Sequence, residues 1–511
     1  MYLKANSPAV AHHGKTVIGF NWIAGKEAEG DLPSFDARSA VDSRDTVGIF
    51  PECGERDVER AAKAAAAAGG PWSATPAARR AAVIGRVGEV LAANADRIAA
   101  IITRELGWPV RTARTEVAEA LEACRRFQDT GDADPIGPGA GRRPLGVVAL
   151  LTGAASPLAA PAWKLMAALA AGDTVVWKPS GDAPTTAYLL VRAMMDAGLD
   201  PGVVNVVNGR GRGACGKALM AGIARGLFRK VDLCGSPALG RAIAETAGRA
   251  LVPCSLELTG RNPMIVLADA PVEAAAAAAL AGAFTAAGQR RAAIGNLILH
   301  RDVSWAFREA FMAGLQELAM GNPVADPEVV CGPMVNARCA RAFLDLVAMG
   351  RQDGARLLTG GEAWTEDSRS PQVHGPIAKG CYLQPCVWDE VTPEMRLFRA
   401  EAFGPAVNLV VVDDFDQALG WALASPFPAA GFLHTADPEA IGRFQREFRG
   451  RVCVVNDTDG TWTGNGDAER SRDWAAGWTR ARRLVGAPEA GDGPAPEPAQ
   501  HPYEPSRWND L

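Results

Sequence analysis

Three features of this chain have residue types that covalent or proton-transfer chemistry needs. Glu257 stands in Leu256-Glu257-Leu258-Thr259-Gly260, at the end of a buried strand, where burial would raise its pKa toward the range useful for trading protons. Taken alone, a Glu near a strand end is more often a structural hydrogen-bond acceptor. Gly235-Ser236-Pro237-Ala238-Leu239-Gly240 reads as a loop running into a helix, and bare backbone N–H groups with the helix dipole at such a start favour an anion. By itself that string is a weak signal. Thiols are the third feature: ten Cys residues are scattered without a C-x-x-C pair or a Cys/His grouping at zinc spacing, so free thiols in a reducing cytosol are expected and a metal site is not. Cys234 directly precedes Gly235, whereas Cys254 alternates with Glu257 in side-chain direction along the same strand. A buried Cys is usually a small inert hydrophobe, and that is the expectation for Cys234.

The apolar patterning supplies the elements that must position these residues. Helical periodicity runs through 55–69, 77–106 and 110–127. Beyond it, short apolar runs at 147–151, 174–177, 203–207 and 230–234 alternate with helices at 162–171, 185–197, 213–221 and 240–247. Strands separated by helices predict a parallel sheet covered on both faces, with ligands beyond the carboxyl ends of its strands, where Lys178 and Gly235-Ser236 fall. A second αβ unit follows from Asn262, with a helix at 272–287, a strand at 297–299, a helix at 304–320 and strands at 407–412 and 431–433.

A chain of 511 residues, 48% hydrophobic and 22% charged, has room for two or three globular domains. Its net charge of −5 offers no basic field for a phosphate backbone, which argues against nucleic acid as a partner. Residues 1–15 lack the apolar core of a signal peptide, and Gly146, Gly153, Pro157 and Pro161 break the longest uncharged run, so a cytoplasmic protein without a membrane span is expected. After residue 486 Pro, Gly, Glu and Ala take over, which predicts an extended or disordered tail whose Tyr503 and Trp508 could dock on a partner subunit.

Several strings recur in a characteristic order: Pro144-Leu145-Gly146-Val147-Val148, Pro161-Ala162-Trp163-Lys164, Gly172-Asp173-Thr174-Val175-Val176-Trp177-Lys178-Pro179-Ser180, Leu256-Glu257-Leu258-Thr259-Gly260-Arg261-Asn262-Pro263 and Glu401-Ala402-Phe403-Gly404-Pro405. With them, the segment 283–300 resembles the nucleophile segment of the aldehyde dehydrogenase superfamily. The resemblance covers roughly 58–451. It implies an α/β, aldehyde dehydrogenase-like fold with a Rossmann-type cofactor domain and an α/β catalytic domain. The division it suggests is 1–127 and 145–258 for NAD(P)-binding, 128–144 as a shortened oligomerisation linker, 259–450 as the catalytic-type domain, 451–486 as a C-terminal arm and 487–511 as the tail.

The same resemblance assigns roles. Glu257 matches the general base, Lys178 the adenosine-ribose lysine, Gly235, Ser236 and Gly240 the pyrophosphate loop, and Glu401 and Phe403 the residues that hold the nicotinamide ribose and ring. NAD or NADP is therefore the implied cofactor, and a homo-oligomer or a pairing with an active paralogue the implied assembly. Two positions depart from the pattern at the chemistry itself. Arg291 stands where the family carries its nucleophilic Cys, and a guanidinium, protonated up to a pKa above about 12, has no lone pair with which to attack a carbonyl. Ala155 stands where an Asn amide would hold the oxyanion, a loss worth about 3–4 kcal/mol of transition-state stabilisation elsewhere. Gly181 replaces an acidic ribose partner, with Asp182 adjacent, and 456–466 lacks the family's C-terminal glycine-rich loop. Beside Glu257, Arg291 would form an ion pair that fills the catalytic space, or bind a carboxylate ligand. The expectation is a divergent member without the catalytic Cys, a pseudoenzyme acting as a ligand-binding or partner subunit; the alternative is an active NAD(P)-dependent oxidoreductase with an unusual nucleophile, Cys234 among the candidates, or an activated water.

Overall fold

The computed structural model describes residues 15–132, 142–211, 213–456 and 474–481. Two seven-stranded sheets dominate it. The first runs in the order Cys254–Leu258, Lys230–Gly235, Val147–Thr152, Thr174–Lys178, Val204–Val206, Asn21–Ile23 and Lys26–Ala28. Its first five strands are mutually parallel, as apolar runs separated by helices require, and the last two turn antiparallel. The second sheet runs Arg356–Thr359, Cys386–Asp389, Ala406–Val412, Ile294–His300, Asn262–Val266, Ala430–His434 and Val452–Val455, parallel except at its first pair.

Helices cover both faces of each sheet. The helix Ala159–Ala170 is buried along its whole length, so it is apolar all round rather than striped, and its single charge, Lys164, must find partners inside the protein. The helical pattern over 77–106 is two helices, Ala77–Ala93 and Ala95–Leu106, because Asn94 leaves helical geometry and turns its amide back onto the Val90 carbonyl. The strand Arg142–Pro144 pairs with Thr479–Ala481 where the shortened linker was expected. The rest of that linker from residue 133, most of the C-terminal arm and the whole tail lie outside the described residues. Among the described residues no helix is long and apolar enough to cross a membrane.

Asp173, in the turn that feeds the strand Thr174–Lys178, accepts the Gly146 N–H at 2.9 Å and is buried. Burial pushes its carboxyl up to about 8, against the pull of the Gly146 and Leu145 amides and of Lys230. A carboxyl whose folded pKa lies above its unfolded value stabilises the fold fully below that unfolded value and loses the contribution as pH rises through the folded one. Asp173→Asn keeps the acceptor without the charge. It should raise the melting temperature at pH ~9 and leave it nearly unchanged at pH ~3, below the unfolded value, as read by scanning calorimetry at the two pH values.

Candidate active site

The segment expected to carry a nucleophile is held from three sides. The helix Val272–Phe284 ends earlier than the sequence pattern suggests, because Ala286 and Ala287 take left-handed φ values of 55° and Gly288 one of 66°. Each such non-glycine residue costs about 1–3 kcal/mol and persists only where its surroundings over-determine it. A Cβ on Gly288 would stand 2.4 Å from the Gly404 carbonyl oxygen, so only glycine fits there. Gln289 donates to the carbonyls of Ala286 and Pro333 at 3.1 and 3.0 Å and accepts the Val335 N–H at 2.8 Å. Asn262 donates to the carbonyls of Arg291 and Ala293 at 3.0 and 2.8 Å. Arg290 turns back to the carbonyls of Ala281 and Gly282 at 3.4 and 3.3 Å, where the end of a helix favours a cation. Of the two arginines, Arg290 serves the helix end and Arg291 faces the carboxylate.

Arg291 Nη1 lies 3.1 Å from Glu257 Oε2. The other carboxylate oxygen accepts from Lys164 Nζ at 2.7 Å and from Arg451 Nη1 at 2.8 Å. The side chains of Lys164, Glu257 and Arg291 are at most 2% exposed, while Arg451 is 40% exposed and marks where the cluster meets solvent. Lys164 also lies 3.6 Å from Asp232, which pairs with Lys230 at 2.9 Å. Here the expectation for Glu257 fails. Burial does push its carboxyl up, but Lys164, Arg291 and Arg451 together outweigh burial and hold it down at about 2. A carboxylate so held is ionised at neutral pH and accepts hydrogen bonds from the cations around it.

Ala155 lines a small cleft with Trp108, Thr115, Glu116, Thr285 and Arg290. The N–H groups of Leu158 and Ala159, which open the next helix, donate to Glu116 Oε2 at 3.1 and 2.9 Å, and the Ser156 hydroxyl donates to the same carboxylate at 3.0 Å. The chain thus supplies its own anion at that helix start, and burial pushes the Glu116 carboxyl up to about 7 against those donors.

Cys234 pairs in register with Glu257, is buried, and is pushed up to about 11 by burial, so it stays a thiol at neutral pH. Cys254 is exposed on the edge strand, with alternation sending its side chain to the face opposite Glu257.

The nucleotide-site residues divide into two groups. Ser236 caps the helix Pro237–Arg249, accepting the Leu239 N–H, and that helix start is open to solvent. Gly240 packs against Leu258, whose Cδ2 would stand 2.5 Å from an added Cβ and would have to turn aside. Lys178 is buried and donates to the carbonyls of Pro179 and Gly209 at 3.0 and 2.8 Å. Asp182 accepts from the Asn336 amide at 2.9 Å, so its carboxylate is engaged within the protein. Glu401 and Phe403 line a cavity with Thr259, Arg261 and Arg290 of only about 10 Å³, room for a single water. Lys178 and Gly235 thus end parallel strands of the first sheet, Ser236 caps the helix that follows the second of them, and Glu401 and Phe403 lie together beside Arg290.

Lys164, Arg451 and Asp232 were not singled out as site residues from sequence. Lys164 carried a signal, one cation in an otherwise apolar helix; Arg451 and Asp232 carried none, because their partners are remote in the chain. Among the described residues no group of three or more His, Cys, Asp or Glu side chains could hold a metal. A family model for the aldehyde dehydrogenase family matches residues 28–466. The alpha-ketoglutaric semialdehyde dehydrogenase of Bacillus subtilis (strain 168) is 31% identical over 436 residues, 83% of this chain and 85% of the relative. Among solved structures, an NAD-dependent aldehyde dehydrogenase from Sinorhizobium meliloti superposes with a TM-score of 0.79 at 27% identity, covering 90% of both chains. An indole-3-acetaldehyde dehydrogenase in complex with NAD+ superposes with a TM-score of 0.78 at 29% identity, covering 87% of this chain and 90% of the other. Two mixed, mainly parallel sheets meeting at a Glu-centred site, with matches over most of the length, establish that the chain belongs to the aldehyde dehydrogenase family.

Proposed function

We propose that this chain is a catalytically degenerate member of its family, a ligand-binding or partner subunit that works beside an active paralogue or in a homo-oligomer. The observation that carries this reading is the buried contact of Arg291 with Glu257 at 3.1 Å, which puts a permanent cation where covalent aldehyde chemistry needs a sulfur. The nucleotide role left to it is binding NAD or NADP through Lys178, Gly235, Ser236 and Gly240 without hydride transfer. The nicotinamide, when bound, would supply the hydride acceptor, and Glu401 and Phe403 are the residues of this chain matched to hold it.

A second reading is favoured by the relatives themselves, which are named as dehydrogenases, one of them solved with NAD+. On this reading the chain oxidises an aldehyde with an unusual nucleophile or an activated water. Calorimetric titration with NAD and NADP, followed by an aldehyde panel monitored for reduced nicotinamide, separates the two. Binding without turnover is the expected result. Turnover by the wild type that disappears in Cys234→Ala would overturn the first reading, and failure to bind either nucleotide would leave a purely structural subunit.

A further inference from the structure

Arg261 stands where the chain crosses between the sheets, after the edge strand Cys254–Leu258 of the first and before the strand Asn262–Val266 of the second. The Ser425 hydroxyl donates to its carbonyl, and a Cβ on the preceding Gly260 would stand 2.1 Å from the Phe427 carbonyl oxygen, so the backbone here runs hard against the segment 425–427. The arginine side chain lies over Gly295, where an added Cβ would stand 2.8 Å from its Cγ, Cδ and Nε. Glycine at that point of the strand Ile294–His300 leaves the groove that the arginine fills.

The residue is 1% exposed, and its hydrogen bonds are poor. Nε donates to Asn296 Oδ1 at 3.4 Å and Nη1 to the Ala400 carbonyl at 3.5 Å, both at the long limit, and the same Asn296 oxygen already accepts the Asn408 amide at 2.7 Å. Nη2, which carries two N–H bonds, has no partner among the described residues. The charge is as poorly met as the donors. Lys164 and Arg291 share Glu257, whereas no carboxylate among the described residues pairs with Arg261. Burial pulls its pKa down to about 10, which still leaves a cation at neutral pH. A buried charge is costly unless an opposite charge meets it.

Arg261 lines the cavity of about 10 Å³ that Arg290, Glu401 and Phe403 also line. Two cations and one carboxyl therefore border this space, and burial pushes the Glu401 carboxyl up, toward its neutral form. The field within favours an anion. Size then selects among anions: a space for one water-sized sphere admits a single-atom ion and is too small for phosphate, sulfate or a carboxylate ligand. Glu401, Ala402 and Phe403 are only half-buried, so an ion has a short way in from solvent.

We propose that this cavity is a halide site, in which one chloride accepts from Arg261 Nη2 and supplies the counter-charge that the chain itself does not. The site goes beyond the reading of the chain as a degenerate subunit and stands whichever way the nucleotide titration turns out.

Crystals of the full chain grown with sodium bromide and measured above the bromine absorption edge test this. The expected result is an anomalous peak in the cavity, within hydrogen-bonding reach of the Arg261 guanidinium. In solution, an ion that binds only the folded chain is coupled to its stability. With ionic strength held constant by gluconate, which is too large for the cavity, each tenfold rise in chloride above its dissociation constant should multiply the folding equilibrium constant about tenfold, read as a rising urea midpoint. Arg261→Met should lose that dependence and be more stable than the wild type in chloride-free gluconate, because it removes a buried charge that has no partner there. Gly295→Ala keeps the cation but crowds its stem, and should shift the dependence to higher chloride. The proposal is overturned by a cavity without a bromine peak, by a peak out of reach of Arg261, or by a chloride dependence as steep in Arg261→Met as in the wild type. The wild-type bromide map decides the matter even where a variant does not fold.

Discussion

Glu257→Gln should destabilise the folded chain by about 3–5 kcal/mol at neutral pH, the cost typical of breaking a buried ion pair by removing one partner. Glu257 is the shared counter-charge of Lys164, Arg291 and Arg451, two of them almost fully buried. The amide keeps the shape and an acceptor oxygen but removes the charge. Arg291→Met should cost less, because Lys164 and Arg451 remain on the carboxylate and the lost cation takes its own desolvation penalty with it. The pH dependence follows from the depressed pKa. A carboxyl held at about 2 contributes stability that is fully present above its ordinary value near 4.5 and lost as pH falls through about 2. The gap between wild type and Glu257→Gln in denaturant midpoint should therefore be flat above pH ~5 and close progressively in acid. Equal midpoints for the two proteins at neutral pH would show that the carboxylate is not the counter-charge the cations depend on.

The fold was legible in the sequence where a single physical rule governs a whole element. Parallel strands buried on both faces read as unbroken apolar runs, and Val147–Thr152 and Thr174–Lys178 emerge within a residue of their predicted bounds. Element ends were less legible. The helix predicted over 272–287 stops at Phe284 because 286–288 are left-handed, and two alanines there give no local sign of it. The site shows the same division. That Arg291 cannot act as a nucleophile follows from its side chain alone, and its ion pair with Glu257 follows from burying opposite charges together. The direction of the Glu257 shift did not follow, because it depends on a sum over Lys164 and Arg451, which reach the carboxylate from a helix and from the margin of the other sheet. Burial of one residue can be read from its neighbours in sequence, whereas the field at that residue is set by the whole fold.

That distinction makes Arg291→Cys more informative than a simple attempt to restore activity. An activated ester such as a nitrophenyl acetate tests the site without any nucleotide: a thiolate must attack the carbonyl, and water must then hydrolyse the thioester. With Arg291 replaced, Lys164 and Arg451 remain as the cations around Glu257, and their charge favours a thiolate at 291, so acylation is expected as a burst of nitrophenolate absent from the wild type. The second step should stall. With Lys164 and Arg451 still bound to one oxygen, Glu257 remains too weak a base to activate water, and the burst should end near one equivalent per chain. Adding Ala155→Asn should speed the burst by about 10²-fold through the restored oxyanion donor while leaving its size unchanged. Hydroxylamine, a nucleophile that needs no general base, should convert the stalled burst into continuous release. Sustained turnover of Arg291→Cys in plain buffer would mean that Glu257 is released once Arg291 is gone; a burst rescued only by hydroxylamine would mean that the base was disabled by the surrounding lysine and arginine as firmly as the nucleophile was by substitution.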